Sequence, residues 1–363
     1  MNEATDTNGD HRWMLYGANG YTGTLIAEEA VRRGERPVLA GRNAKALEDL
    51  GARLGCEIRV CGLGDAAQLG DALSDISLVL HCAGPFTRTW EAMVHACLST
   101  GTHYMDINGE IPVLEAQYPL HEQACARGIT VLPGSGFDVV PTDCLAASLH
   151  KDMPDATHLR LAFAGKIHQS PGTWKATLEA IPRGGMIRRD GELLHIPHAD
   201  RIELLQFDHG SEWCMSIPWG DIASAYRSTG IPNIEVFGGT GRGAAYVMRA
   251  MRGVTHVMRG AMLRASEAVI HSLVRGPSLR QRRNGRYHIL GEVRNEAGNR
   301  IRKWMITPEG YTTTVLTALA LTERILSGQV PHGVLTPSQA AGCGLLREIE
   351  GFRLIDPPMR ENG

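Results

Sequence analysis

The sequence has no uninterrupted apolar run of about 18 residues, the length a helix needs to cross a bilayer, so no membrane span is expected. Its opening, MNEATDTNGDHR, lacks the basic start and apolar stretch of a secretion signal, and the expected location is the cytoplasm. None of the eight cysteines forms a CxxC pair, and they scatter through expected helices and strands; this argues against both a disulfide scaffold and a structural zinc, and no metal is expected. Charge of one sign is missing too: 37 Lys and Arg against 39 Asp and Glu leave a net charge of −2, which names no nucleic-acid partner. No tyrosine is followed four residues later by lysine, so the phenol and ammonium pair of the short-chain dehydrogenases is absent. Internal repeats and low-complexity linkers are also missing.

What is present is globular. With 43% hydrophobic and 21% charged residues, a chain of 363 residues predicts two or three domains. Short apolar runs alternate with amphipathic segments over the first 135 or so residues, the rhythm of strand–helix units around a parallel sheet. Strands are expected at 13–16, 37–40, 57–61, 78–82, 103–106 and 129–132, with helices near 22–33, 44–54, 66–73, 89–100 and 114–127. The predicted fold is a Rossmann-type doubly wound α/β sheet with an inserted α+β domain. The rhythm changes after Pro141. The stretch 158–164 and a hairpin at Asp190-Gly191 suggest antiparallel pairing, with a second hairpin near Ala297-Gly298. A long helix is expected over 242–274, and two helices near 310–327 and 338–349 close the chain. The expected domains are 1–145, 146–308 and 309–363.

The segment Gly17-Ala18-Asn19-Gly20-Tyr21-Thr22-Gly23 follows the first strand and opens a helix. Gly17 permits a tight turn, Gly20 lets the backbone approach a pyrophosphate, and Gly23 lets the helix pack on the sheet, while the free N–H groups supply an anion site. The end of the second strand reads Ala40-Gly41-Arg42-Asn43. No acid stands there to hold ribose hydroxyls, so NADP is expected, with Arg42 on its 2′-phosphate. Asp65 could accept from the adenine amino group or cap a helix. The loop Ala83-Gly84-Pro85 should border the nicotinamide; His81 before it reads as a satisfied buried histidine. Tyr104, in the segment 104–110 that leaves the fifth strand, and Asp138, beyond the sixth, are candidates to orient substrate or relay a proton, although Asp138 and Asp143 could instead brace the loop and cap the next helix. Lys175 is a further candidate, for a carboxylate or carbonyl. Between Arg242 and Lys303 lie 14 basic residues against three glutamates, which suits a solvated helix face, a self-association surface or an anionic partner.

Taken together, GANGYTG, AGRN, HCAGPFTRTWEAMVHACLSTGTHYMDINGE and PGSGFDVVPTDCLA resemble the saccharopine dehydrogenase-like oxidoreductases, a group that includes the trans-acting enoyl reductases. The resemblance runs through about the first 150 residues and fades in the middle of the chain. It implies an NADP-binding domain, terminal helices returning to that domain, and hydride transfer to or from a C=C, C=N or C=O group of a small or carrier-bound acyl substrate. An acidic carrier or a coenzyme A thioester would suit the basic segment, and a homo-oligomer, such as a dimer, is expected. The alternative is a non-catalytic NADP-sensing regulatory protein.

Overall fold

The structure is a computed structural model and describes residues 11–166, 170, 172, 184–250 and 276–356. Its first half is a parallel sheet built from β1 (Trp13–Tyr16), β2 (Val38–Gly41), β3 (Ile58–Val60), β4 (Leu78–His81), β5 (His103–Asp106) and β6 (Thr130–Leu132). The strands β1, β2 and β4 are buried along their whole length. That is why they read as unbroken apolar runs: helices cover both faces of a parallel sheet. Helices α1 (Tyr21–Arg32), α2 (Ala44–Leu54), α3 (Ala66–Leu73) and α4 (Trp90–Thr100) fill the first four gaps. The fifth expected helix is broken into α5 (Ile111–Gln117), a 3-10 turn at Tyr118–Leu120 and α6 (His121–Arg127), where Pro119 interrupts it.

The strand order reverses beside β1, with β3, β2, β1, β4, β5 and β6 in line, and a seventh strand, Gly333–Val334, adds to β6. A two-residue strand has too little pattern to be read from sequence. Helix α7 (Val140–Asp152) then leads into the second sheet, whose strands are β7 (His158–Gly165), β8 (Gly185–Arg189), β9 (Glu192–Ile196), β10 (Ile202–Phe207), β11 (Gly210–Ser216), β12 (Asn233–Gly239), β13 (Arg286–Arg294) and β14 (Arg300–Pro308). Both hairpins form. Asp190 and Gly191 take φ of 51° and 83°, as a two-residue turn of matching twist requires, and Gly298 takes 84° in the β13–β14 turn.

Pairing in this sheet is mixed rather than purely antiparallel, because β12 enters after the helix Asp221–Thr229 and lies parallel to β7. Side chains of β7 alternate: Leu159, Leu161 and Phe163 join the main core, while Ala162 and Ala164 join a smaller cluster with Leu205, Phe207, Phe237 and Leu290. The sheet curls until β10 meets β13, and Trp304 Nε1 donates to the Gln206 carbonyl at 3.0 Å. Helix Gly310–Leu326 returns to pack on α1 and β4. The last segment is divided, for Arg353–Ile355 goes back to pair with β14. The expected helix near 338–349 is two short pieces, Pro337–Ala341 and Leu345–Glu348, with Gly342 at positive φ between them. Of the expected 242–274 helix, Arg242–Ala250 is helical and residues 251–274 lie outside the described set.

Candidate functional site

The glycine turn is built as its composition demands. Gly17 N donates to the Ala40 carbonyl at 2.7 Å, which hooks the loop over the end of β2. At φ of 83°, a Cβ on Gly17 would sit 2.8 Å from the Ala83 nitrogen. A Cβ on Gly23 would lie 2.3 Å from the Gly17 carbonyl oxygen, and one on Gly20 3.2 Å from the same atom. Gly20 caps α1 with no side-chain bond, and no acid occupies the first turn, which leaves the helix N–H groups there to an anion. Thr22 is half-buried beside them, and Asn19 is exposed, its Oδ1 over Gly41. Tyr21 turns away: its hydroxyl donates to the Pro277 carbonyl at 2.6 Å and its ring stands edge-on to Tyr311. Burial pushes that phenol up to about 12. Its side chain therefore joins the two halves of the molecule, and only its backbone belongs to the turn.

Arg42 is exposed at the end of β2 and makes no ion pair among the described residues, whereas its neighbour Asn43 is used up capping α2 through the Ala46 N–H. Asp65 Oδ1 accepts from Ala67 and Gln68 N–H, both at 3.0 Å, and so caps α3. The loop Ala83-Gly84-Pro85 is held from two sides. Thr89 Oγ1 donates to the Ala83 carbonyl at 2.7 Å, and the Glu110 carboxylate accepts from Phe86 N at 2.9 Å and Thr87 N at 3.2 Å. Glu110 was within reach of sequence reasoning, since it closes the segment leaving β5, but nothing in the pattern shows which loop it grips.

Beneath this rim lies a buried polar network. The Asp106 carboxylate accepts from Tyr104 Oη at 2.8 Å, Gln117 Nε2 at 3.1 Å, Gly134 N at 2.9 Å, and from Asn108 through N and Nδ2. His81 is fully buried, with Nε2 3.2 Å from the Ala83 carbonyl and Nδ1 3.4 Å from Tyr104 Oη; burial drives it down to about 4. Tyr104 is fully buried as well, and desolvation raises its phenol well above the ordinary value. Such burial favours a supporting place for Tyr104 over the expected proton-handling one. The hydroxyl is spent on Asp106, the side chain has no open face, and a phenol so hard to ionise supports the rim instead.

Asp138 has the opposite character. It is half-buried beside Gly109, where a Cβ would meet its Oδ2 at 3.1 Å, and its carboxylate has no hydrogen-bond or ion-pair partner among the described residues. Burial raises it to about 6. Asp143, in contrast, is fixed by Ser228 Oγ at 2.7 Å and Ser338 N at 2.8 Å, a structural brace. Next to Asp138 the second sheet contributes an aromatic wall: Phe137 lies 4.6 Å from Tyr287, and Phe163 4.6 Å from Trp219. Sequence reasoning missed Phe163, Trp219 and Tyr287, which come from β7, the loop before Asp221 and β13 and carry no shared motif. Lys175 lies outside the described residues. The basic segment is divided. Arg302 pairs with Glu292, Lys303 with Asp152, and Arg280 and Arg283 stay exposed on the short helix Leu279–Asn284.

Residues 13–132 match the family model described as the saccharopine dehydrogenase NADP binding domain. A human saccharopine dehydrogenase-like oxidoreductase is 29% identical over 192 residues, covering 46% of this chain and 44% of that protein. The trans-acting enoyl reductase of Mycobacterium leprae (strain TN) is 36% identical over 146 residues, 38% of this chain and 35% of that one. These matches span half or less of the length of the curated relatives. Among solved structures, apo histidine-tagged saccharopine dehydrogenase (L-Glu forming) from Saccharomyces cerevisiae superposes with a TM-score of 0.64 at 13% identity, covering 95% of this chain and 100% of that one. At that identity the likeness concerns the fold.

Proposed function

Residues 13–132 form an NADP-binding domain of the saccharopine dehydrogenase type, and from that premise we propose that the chain is an NADP-dependent oxidoreductase acting on a C=C, C=N or C=O group of an apolar, acyl-like substrate. The residues suit the dinucleotide. A Cβ on Gly17 or Gly23 would strike neighbouring backbone, so glycine keeps the turn tight, and Arg42 at the end of β2 makes no ion pair among the described residues. When bound, the nicotinamide supplies or accepts the hydride. The chain's own part is to bind, orient and handle the proton. The Gly17–Gly23 turn would hold the pyrophosphate, Arg42 the 2′-phosphate, and Ala83, Gly84 and Pro85 would border the ring. Glu110 keeps that loop in place through two backbone N–H groups.

Asp138 carries the catalytic part of the proposal. A carboxyl held near 6 is partly protonated at neutral pH and can give a proton in one direction of reaction and take one in the other. Phe137, Phe163, Trp219 and Tyr287 offer it an apolar neighbourhood, which favours a substrate of low polarity over a free amino acid. The test is NADPH oxidation screened against enoyl thioesters, imines and keto acids. Turnover of at least one class, lost in Asp138→Asn while NADPH affinity is kept, is the expected result. Tight NADPH binding without turnover of any class would favour the regulatory, NADP-sensing alternative.

A further inference from the structure

Tyr287 faces the aromatic wall, and its neighbour on β13, His288, points to the opposite face of the second sheet. There it meets the turn between β10 and β11. His288 Nδ1 lies 2.7 Å from Asp208 Oδ1, and His209 Nδ1 lies 3.4 Å from the same oxygen. One ligand atom from each of the three residues falls within 4.8 Å of the other two. The imidazole centroids are 4.1 Å apart. Chain topology makes this convergence non-local, because the curl of the sheet brings β10 onto β13, residues 80 positions apart.

The second ring nitrogen of His209 decides what the cluster can do. His209 Nε2 is 2.7 Å from Glu212 Oε1, and a carboxylate can only accept, so Nε2 carries the proton. In the neutral ring Nδ1 is then a lone pair aimed at the Asp208 oxygen and His288. Two acceptors facing each other repel unless a cation lies between them, either a second proton on the imidazole or a metal ion. A carboxylate on the far nitrogen of a histidine is also the usual support of a metal-bound imidazole, since it fixes the tautomer and raises basicity. The 3.4 Å spacing matches the edge of a tetrahedron with bonds of about 2.0–2.1 Å, and His288 would need to withdraw by about half an ångström. The side chains keep 14% to 36% of their surface, which leaves room for a water as fourth ligand.

We propose that Asp208, His209 and His288 bind one divalent transition-metal ion of the zinc class, with Glu212 orienting His209, and that the ion ties the β10–β11 turn to β13. Nitrogen and oxygen donors without sulfur suit zinc, nickel or copper rather than calcium or magnesium. The expectation of no metal rested on the cysteines, and this set contains none. The occupant would be structural: it closes the curled sheet on the face opposite the aromatic wall.

The experiment is calorimetric titration of the chelator-treated full chain with Zn²⁺, paired with Co²⁺ absorption spectra. One Zn²⁺ per chain is expected, weakened at least about a hundredfold in His209→Ala and His288→Ala and roughly 10–100-fold in Glu212→Gln, with unchanged NADPH affinity as the check on folding. Glu212→Gln leaves all three ligands in place and decides the matter if a histidine variant fails to fold. The Co²⁺ spectrum should lack a thiolate charge-transfer band. No stoichiometric binding, binding indifferent to the histidine and Glu212 variants, or a thiolate band would each overturn the site and leave the imidazolium as the cation of the cluster.

Discussion

The two sheets solve different problems with different chemistry. In the parallel sheet, strands buried on both faces carry no charge in their middles, and polar groups gather at the carboxyl ends, where Asp106, Glu110 and Asp138 stand. In the curled sheet, charges run along the strands themselves: Arg160 meets Glu203, Arg201 meets Glu203 and Glu235, and Arg302 meets Glu292. The first arrangement concentrates reactive groups at one rim. The second spreads ion pairs over a face, where they fix register but contribute little stability each.

The joint between the sheets is the sharpest place to test that contrast. Arg188 on β8 is 5% exposed and spans both halves: Nε donates to the Ile222 carbonyl at 2.9 Å, Nη1 to that of Gly191 at 2.7 Å, the Tyr226 ring lies 4.1 Å away, and Glu115 of α5 supplies the only carboxylate it pairs with among the described residues. Glu115→Ala strands a buried guanidinium and should cost about 3 kcal/mol in urea unfolding, against less than about 1 kcal/mol for Arg201→Ala at the exposed ladder. Equal costs would erase the distinction between joint and ladder.

Next in size is Asp138→Asn, which should lower kcat by about a hundredfold or more on an identified substrate. The same residue carries a pH signature. Its folded-state pKa, raised to about 6, means the folded chain holds this proton more tightly than the unfolded chain does, so the residue costs stability as pH climbs from about 4 through 6 and the cost is complete above that. Asp138→Asn should therefore be more stable than the parent at pH 8, by up to about 3 kcal/mol, with the gap closing toward pH 4 in chemical denaturation. A gap independent of pH would mean that the carboxyl is solvated and ordinary.

Gly17→Ala should follow, with a loss of about 2 kcal/mol from positive φ and the 2.8 Å contact with Ala83, together with NADPH binding too weak to titrate by fluorescence. Arg42→Ala has the smallest expected effect, roughly a tenfold loss of NADPH affinity with NADH affinity unchanged. A fall in both would show that Arg42 holds the loop rather than the phosphate.

Legibility in the sequence follows the same division. The parallel sheet could be read because each strand and its helix are neighbours in the chain and announce their ends locally, through Asn43 and Asp65 as caps or Gly55 and Gly101 at positive φ. The glycine turn and Arg42 are local as well. Tyr104 is harder to read, because it lies within β5 and the pattern does not show which way its side chain faces; Asp106, two residues on, claims the hydroxyl. The aromatic wall and the histidine cluster were unreadable for a different reason: Phe163, Trp219 and Tyr287 meet only after β7 has paired with β13, a contact that joins residues more than 120 positions apart.

One carboxylate also limits how this rim can change. Five donors from β5, the loop after it, α5 and the loop after β6 end on Asp106. Segments that share one anchor shift together or not at all. A relative adapting to a bulkier or more polar substrate could not reshape a single rim loop without unseating the others. Among the described residues the aromatic side chains beside the curled sheet share no such polar anchor and meet one another only ring to ring, a contact that tolerates exchange more readily. Diversification of substrate choice is therefore expected on the side of Phe163, Trp219 and Tyr287, while the rim is inherited as one piece.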